Sequence, residues 1–177
     1  MYLLAVDPGR RFTGYAIFRS IKRLCNYGTI KCITKHRYMT PEQILIKDFS
    51  ALVNHCKGVC DYEKETERYM VVEDTFLLFQ GAKANKDTIK KLISAQSAIK
   101  TIGEQYGFEV HDVPASTWIT KMGFKKNNKE KVNKQAIWTW VNSEYPHCFG
   151  SEHAISAVCV GYYWMQQKIE QEMLELL

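Results

Sequence analysis

The chain has little of what punctuates or staples a fold. Four prolines and ten glycines are spread over 177 residues, and no Pro-, Gly- or Ser-rich stretch is long enough to act as a linker. There is no internal repeat and no low-complexity segment, which excludes solenoid and collagen-like architectures. No hydrophobic run approaches the roughly 20 residues of a membrane span. The first residues, MYLLAVDPGRR, put their charges after the apolar segment, opposite to a secretory signal. The expectation is a soluble, cytoplasmic protein with no membrane partner. Its six cysteines (Cys25, Cys32, Cys56, Cys60, Cys148 and Cys159) lack the spacing of a disulfide framework, and Cys56-xxx-Cys60 lacks the second ligand pair of a structural zinc site.

Negative charge is scarce in two regions. Residues 1–37 carry Arg10, Arg11, Arg19, Lys22, Arg23, Lys31, Lys35 and Arg37 against Asp7 alone. Residues 121–134 carry Lys121, Lys125, Lys126, Lys129, Lys131 and Lys134 against Glu130. Net charge is +5, with the acids gathered between Asp61 and Asp74 and near the C-terminus. Basic patches of this kind suit a polyanion, although charge runs are most often solvated surface.

What is present is ample core material. At 46% hydrophobic the chain fits one compact domain over residues 1–177. Residues 2–7 form a continuous apolar run, the pattern of a central strand covered on both faces. Strands are expected over about 15–19 and 24–33, completing a meander. Thr40-Pro41-Glu42 is a helix start with Pro in the first turn, and apolar spacing carries that helix to about residue 58. Residues 69–72 read as a buried strand ending on Glu73-Asp74, and residues 108–113 as another, closed by Pro114. Helices are expected over about 86–106, 115–122, 129–143 and 151–175. On the 86–106 helix, Ile89, Leu92, Ile93, Ala95, Ala98, Ile99 and Ile102 share one face.

Three strands, then two more each reached through a helix, predict an α/β fold. The sheet is mixed and five-stranded, with three antiparallel strands plus two parallel and helices on both faces. That is the RNase H-like topology. Within it Asp7 ends the first strand and Glu73 ends the fourth, so two carboxylates interrupt apolar runs on neighbouring strands. Such a pair repels unless it shares a proton or holds cations. Arg10 or Arg11 is the structural alternative, as an ion-pair partner for Asp7. Near the last helix, Ser151 is an N-cap candidate, and Glu152, His153 and Ser156 can direct polar groups toward one neighbouring point.

The stretch LAVDPGRRFTGYAIF resembles the first motif of the RuvC family of Holliday junction resolvases, an Ile-Asp-Pro-Gly run followed by Thr-Gly-Tyr. VVEDTF resembles the second motif. VPASTWITKMG with KEKVNKQAI is similar to the basic segment, and HAISAVCVGYY occupies the place of the closing helix. The resemblance implies metal ligands at Asp7, Glu73 and His153, a base-stacking aromatic at Phe76 and a backbone-contacting lysine at Lys131. It departs from the family at Ser156, where an aspartate is usual. Glu152 is the alternative ligand there, and a weakly held second metal or an inactivated site are the other readings.

The expected function is that of an endonuclease resolving four-way DNA junctions by paired nicks. It would use two magnesium ions, with manganese as substitute, and act as a homodimer in a bacterial or phage-infected cell. Expected catalytic and metal residues are Asp7, Glu73, Glu152, His153 and Ser156. Expected DNA contacts are Arg10, Arg11, Phe76, Phe79, Lys83, Lys121, Lys125, Lys126, Lys129 and Lys131. The alternatives are a same-fold nuclease for flaps or other branched DNA, and a catalytically weak junction-binding protein. An ATP-handling fold of the actin and sugar-kinase type needs two lobes, for which the chain is too short.

Overall fold

A computed structural model describes residues 1–33, 38–74, 85–125 and 131–176. Five strands form one sheet: β1 (Tyr2–Asp7), β2 (Phe12–Ser20), β3 (Arg23–Lys31), β4 (Arg68–Asp74) and β5 (Glu109–Pro114), in the order β3-β2-β1-β4-β5. β1 to β3 are antiparallel neighbours, and β4 and β5 add parallel to β1. The five described helices are α1 (Pro41–Tyr62), α2 (Lys86–Gln105), α3 (Ala115–Lys121), α4 (Lys134–Glu144) and α5 (Glu152–Glu175). This is the expected RNase H-like architecture.

Strand periodicity divides the core in two. Tyr2, Leu4 and Val6 of β1, with Met70 and Val72 of β4, face Phe49 and Val53 of α1 and Ile99 of α2. Leu3 and Ala5, with Tyr69 and Val71, face the other way, onto Trp118 of α3, Val141 of α4 and Ile155 and Val158 of α5. Successive side chains on a strand alternate faces, so Asp7 and Glu73 continue the second set and point toward α5. At Gly161, α5 presses so closely on the sheet that an added Cβ would lie 2.8 Å from the Cβ of Ala5.

Boundaries differ from expectation where local hydrogen bonds decide them. β2 begins at Phe12 rather than near residue 15, because Phe12 and Thr13 pair with Lys31 and Ile30. α4 begins at Lys134 rather than near 129, capped by the Asn133 side chain, which accepts from the Ala136 N–H at 3.0 Å. α1 runs one turn beyond residue 58, from a capping box between Thr40 and Gln43. On α2 the buried face is displaced from the expected one: Ile93 is exposed and Gln96 is buried.

All six cysteines are free, and five of them are buried. Part of the basic N-terminal region is consumed in structure, since Arg19 ion-pairs with Glu63 and its guanidinium lies 4.5 Å from the Tyr2 ring centre. No described helix is long and apolar enough to cross a membrane.

Candidate active site

The parallel register of β1 and β4 pairs Val6 with Val72, which carries the next residues, Asp7 and Glu73, to the same edge of the same face. Their exposures are only 6% and 5%. Burial is the largest influence on Asp7 and pushes its carboxyl up to about 7. Burial also drives Glu73 well above the usual carboxylate range, and the negative charge of Asp7 adds to it. The two carboxyls lie against each other, and their interaction raises Glu73 further while it lowers Asp7.

Two further groups hold Glu73, one from each layer of helices. The indole N–H of Trp118, on α3, donates to Glu73 Oε1 at 2.8 Å. From the opposite face Gln96, on α2, donates its side-chain N–H to the Glu73 backbone carbonyl, also at 2.8 Å. Neither is named among the site residues expected from sequence. Trp118 sits in a short mixed stretch, ASTWITK, and Gln96 in a helix whose buried face reads as purely aliphatic. Only the packing of α2 and α3 against the end of β4 reveals them.

Asp7 is held by His153, whose Nδ1 lies 2.9 Å from Asp7 Oδ2. Burial lowers the His153 pKa below its ordinary value, while Glu152 and Glu73 pull it back up. Arg10 and Arg11, the alternative partners for Asp7, are exposed instead.

The glycines of the DPGRRFTG segment make this contact possible. A Cβ on Gly14 would fall 2.0 Å from the His153 carbonyl oxygen, so only glycine lets the start of α5 rest directly on β2. A Cβ on Gly9 would fall 2.0 Å from the Phe12 carbonyl oxygen and 3.1 Å from His153 Cε1. Fully buried Thr13 stiffens the turn by donating its hydroxyl to the Gly9 carbonyl at 3.3 Å. Ser151 caps α5 by accepting from the Ala154 N–H at 3.2 Å, and its hydroxyl also bonds to that of Thr29 on β3.

Glu152 and Ser156 do not join the Asp7–Glu73 pair. Glu152 is exposed and bonds to Lys134 Nζ at 2.5 Å. Ser156 is half-buried, and with Glu73, Trp118, Lys134 and Glu152 it lines a cavity of about 160 Å³. The remainder of that lining is largely apolar, from Ile137, Trp138 and Ile155 among others.

Of the expected DNA contacts, Arg10 and Arg11 are exposed on the turn after Asp7. Lys121 is exposed at the end of α3, Lys125 is half-buried and Lys131 is exposed ahead of α4. Phe76, Phe79, Lys83, Lys126 and Lys129 lie outside the described residues.

No known protein-family model matches the chain, and no curated protein matches it in sequence. Solved structures do match. Thermus thermophilus RuvC superposes with a TM-score of 0.67 at 13% identity, over 96% of this chain and 97% of that one. The fold is that of RuvC. RuvC from T. thermophilus bound to a Holliday junction substrate gives 0.63 at 12% identity, over 96% of both chains. A yeast mitochondrial Holliday junction resolvase gives 0.57 at 10% identity, over 97% of this chain and 80% of that one. Identities this low establish the RuvC fold and leave the chemistry to be argued from the site.

Proposed function

We propose that the chain is a metal-dependent DNA endonuclease that resolves four-way junctions. The observation that carries this reading is the buried Asp7–Glu73 pair, facing the start of α5 on the fold shared with the Holliday junction resolvases.

The residues suit divalent metal. Among the described residues, His153 is the hydrogen-bond partner of Asp7, and neither carboxyl pairs with a lysine or arginine. A purely structural acid pair would ordinarily acquire such a cation, because an uncompensated buried charge is costly. No three His, Cys, Asp or Glu side chains among the described residues are grouped as a metal cage. The pair and His153 are instead gathered against one another, and the raised carboxyl pKa values mark a site short of positive charge. Hard oxygen donors of this kind suit magnesium or manganese, and Asp7 and Glu73 would hold the metal, with His153 adjoining. Two bound ions would supply an activated water and neutralise charge on the departing 3′ oxygen, leaving 5′-phosphate ends.

The protein's own part is positioning and charge. His153 and the Gly9–Thr13 turn fix Asp7 at the end of β1, and Trp118 and Gln96 fix Glu73 beside it. Arg10, Arg11, Lys121, Lys125 and Lys131 provide cations for backbone phosphates, with Lys126 and Lys129 from the same basic segment. A four-way junction has two-fold symmetry, so a homodimer would present two identical sites to strands of like polarity.

A second reading, junction binding with weak cleavage, is favoured by one observation. Ser156 stands where a carboxylate is usual in RuvC proteins, and Glu152 is turned onto Lys134. Cleavage of synthetic four-way and flap substrates with magnesium or manganese decides between these. Paired nicks on the junction support resolution, preferred cutting of flaps supports the branched-DNA alternative, and tight binding without nicks supports the second reading.

A further inference from the structure

Resting on the metal-dependent reading above, we infer that Trp118 is a positioning residue: its indole N–H holds Glu73 toward Asp7 and away from the apolar cavity at its side. Three observations carry this. The indole nitrogen donates to Glu73 Oε1 at 2.8 Å. Both groups are sealed from solvent, with Trp118 at 2% exposure and Glu73 at 5%. Glu73 and Trp118 both border the cavity of about 160 Å³ whose other walls include Ile137, Trp138 and Ile155.

A carboxyl at the end of a strand has free side-chain torsions, and here there is space for it to turn into. Gln96 secures only its backbone carbonyl, so apart from Asp7 itself the indole is the group that directs the side chain. Because Oε1 is taken by the indole, Oε2 is the oxygen left for the shared ligand position with Asp7. The indole is itself locked. Its ring meets Phe124 edge-on at 6.2 Å, and Phe124 meets Trp140 in the same way at 6.1 Å. A donor held on a packed aromatic stack aims a carboxylate without a charge of its own, and so leaves that carboxylate's negative charge for a metal. A lysine or arginine in the same place would compete with the metal instead.

The substitution that tests this is Trp118→Phe, which keeps an aromatic ring and removes the donor. Phe124→Leu serves as the comparison, loosening the same stack without touching Glu73. Trp118→Phe should lower the junction cleavage rate about tenfold or more, the usual consequence of losing one hydrogen bond to a charged group. It should also raise the magnesium concentration for half-maximal rate, and leave junction affinity within about twofold. Phe124→Leu, which keeps the donor and loosens only its support, should shift the metal requirement in the same direction and by less.

A second readout needs no turnover. In the unmodified protein, the Trp118 indole N–H resonance should move on magnesium titration, and it should stay still in the Asp7→Asn variant. Cleavage and metal dependence that survive Trp118→Phe unchanged would overturn the assignment. So would a Trp118 resonance that ignores magnesium in protein that cuts junctions. If the resonance moves with magnesium while no DNA is cut, the nuclease reading fails and the positioning of Glu73 stands.

Discussion

His153 Nδ1 stands 2.9 Å from Asp7 Oδ2, joining the first turn of α5 to the last residue of β1 across 146 positions of sequence. The hydrogen bond closes the site from the C-terminal side. It depends on Gly14, since the His153 carbonyl lies where any Cβ on that residue would be.

Gly14→Ala should therefore do damage out of proportion to one methyl group. The start of α5 must lift from β2, and His153 moves with it. We expect a loss of about 3 kcal/mol, or roughly 10 °C in Tm for a chain of this size. Cleavage should fall even at temperatures where the variant remains folded. Thermal unfolding and a junction assay at 20 °C check both. A Tm within 2 °C of the parent would mean that α5 does not rest on β2 at this glycine.

The carboxyl pair predicts an unusual pH dependence for the metal-free protein. Both acids have folded pKa values above their unfolded ones, so folding takes up protons, and stability is lost as pH rises through about 7. His153 is lowered and acts in the opposite sense, but only as pH falls below its ordinary value near 6.5. From pH 6.5 to 8 the acids govern, and the loss should be on the order of 1–2 kcal/mol, about 3–6 °C in Tm. Magnesium added at pH 8 should restore it, and Asp7→Asn should flatten the slope. Rising stability over that interval without metal would refute the buried acid pair with raised pKa values.

Legibility in the sequence followed the physics of each feature. The continuous apolar run that ends on Asp7 and the apolar run before Glu73 are local patterns, so the sheet and its two acids could be read directly. The partners of those acids could not. Arg10 and Arg11 are nearest to Asp7 in sequence, yet the turn directs them to solvent and brings His153 from the far end of the chain. Gln96 lies on a helix face where Ile93 reads as the better core residue, because apolar periodicity does not register the pull of an unpaired backbone carbonyl on a polar side chain. Trp118 carries one N–H on a large apolar ring, and nothing in its neighbours says whether that N–H is used.

Glu152 and Ser156 give opposed expectations that can be measured together. With Glu152 exposed and bound to Lys134, Glu152→Gln should cost less than about tenfold in cleavage, the modest effect of a charge in a helix's first turn. Ser156→Asp adds a carboxylate beside the cavity that Glu73 lines, and should raise both activity and magnesium affinity. A loss of several orders of magnitude from Glu152→Gln, with no gain from Ser156→Asp, would show that Glu152 leaves Lys134 to serve as ligand.

The basic segment predicts salt dependence. Replacing Lys125, Lys126 and Lys129 with Ala should weaken junction binding and reduce the slope of log affinity against log salt by roughly one for each phosphate no longer neutralised. Titrations between 50 and 200 mM salt measure it. An unchanged slope would return these lysines to solvated surface.

The central claim is that Asp7 and Glu73 form a metal-dependent site for cutting junction DNA, and one comparison tests it most directly. A synthetic four-way junction is incubated with magnesium and either the parent protein or the Asp7→Asn variant, and nicking and binding are measured in the same samples. The account predicts paired nicks from the parent, none without magnesium, and loss of cleavage in the variant, by a factor of about 10³ or more, with junction binding preserved or tightened. Undiminished cleavage by Asp7→Asn, or cleavage by the parent that is indifferent to divalent metal, would contradict it.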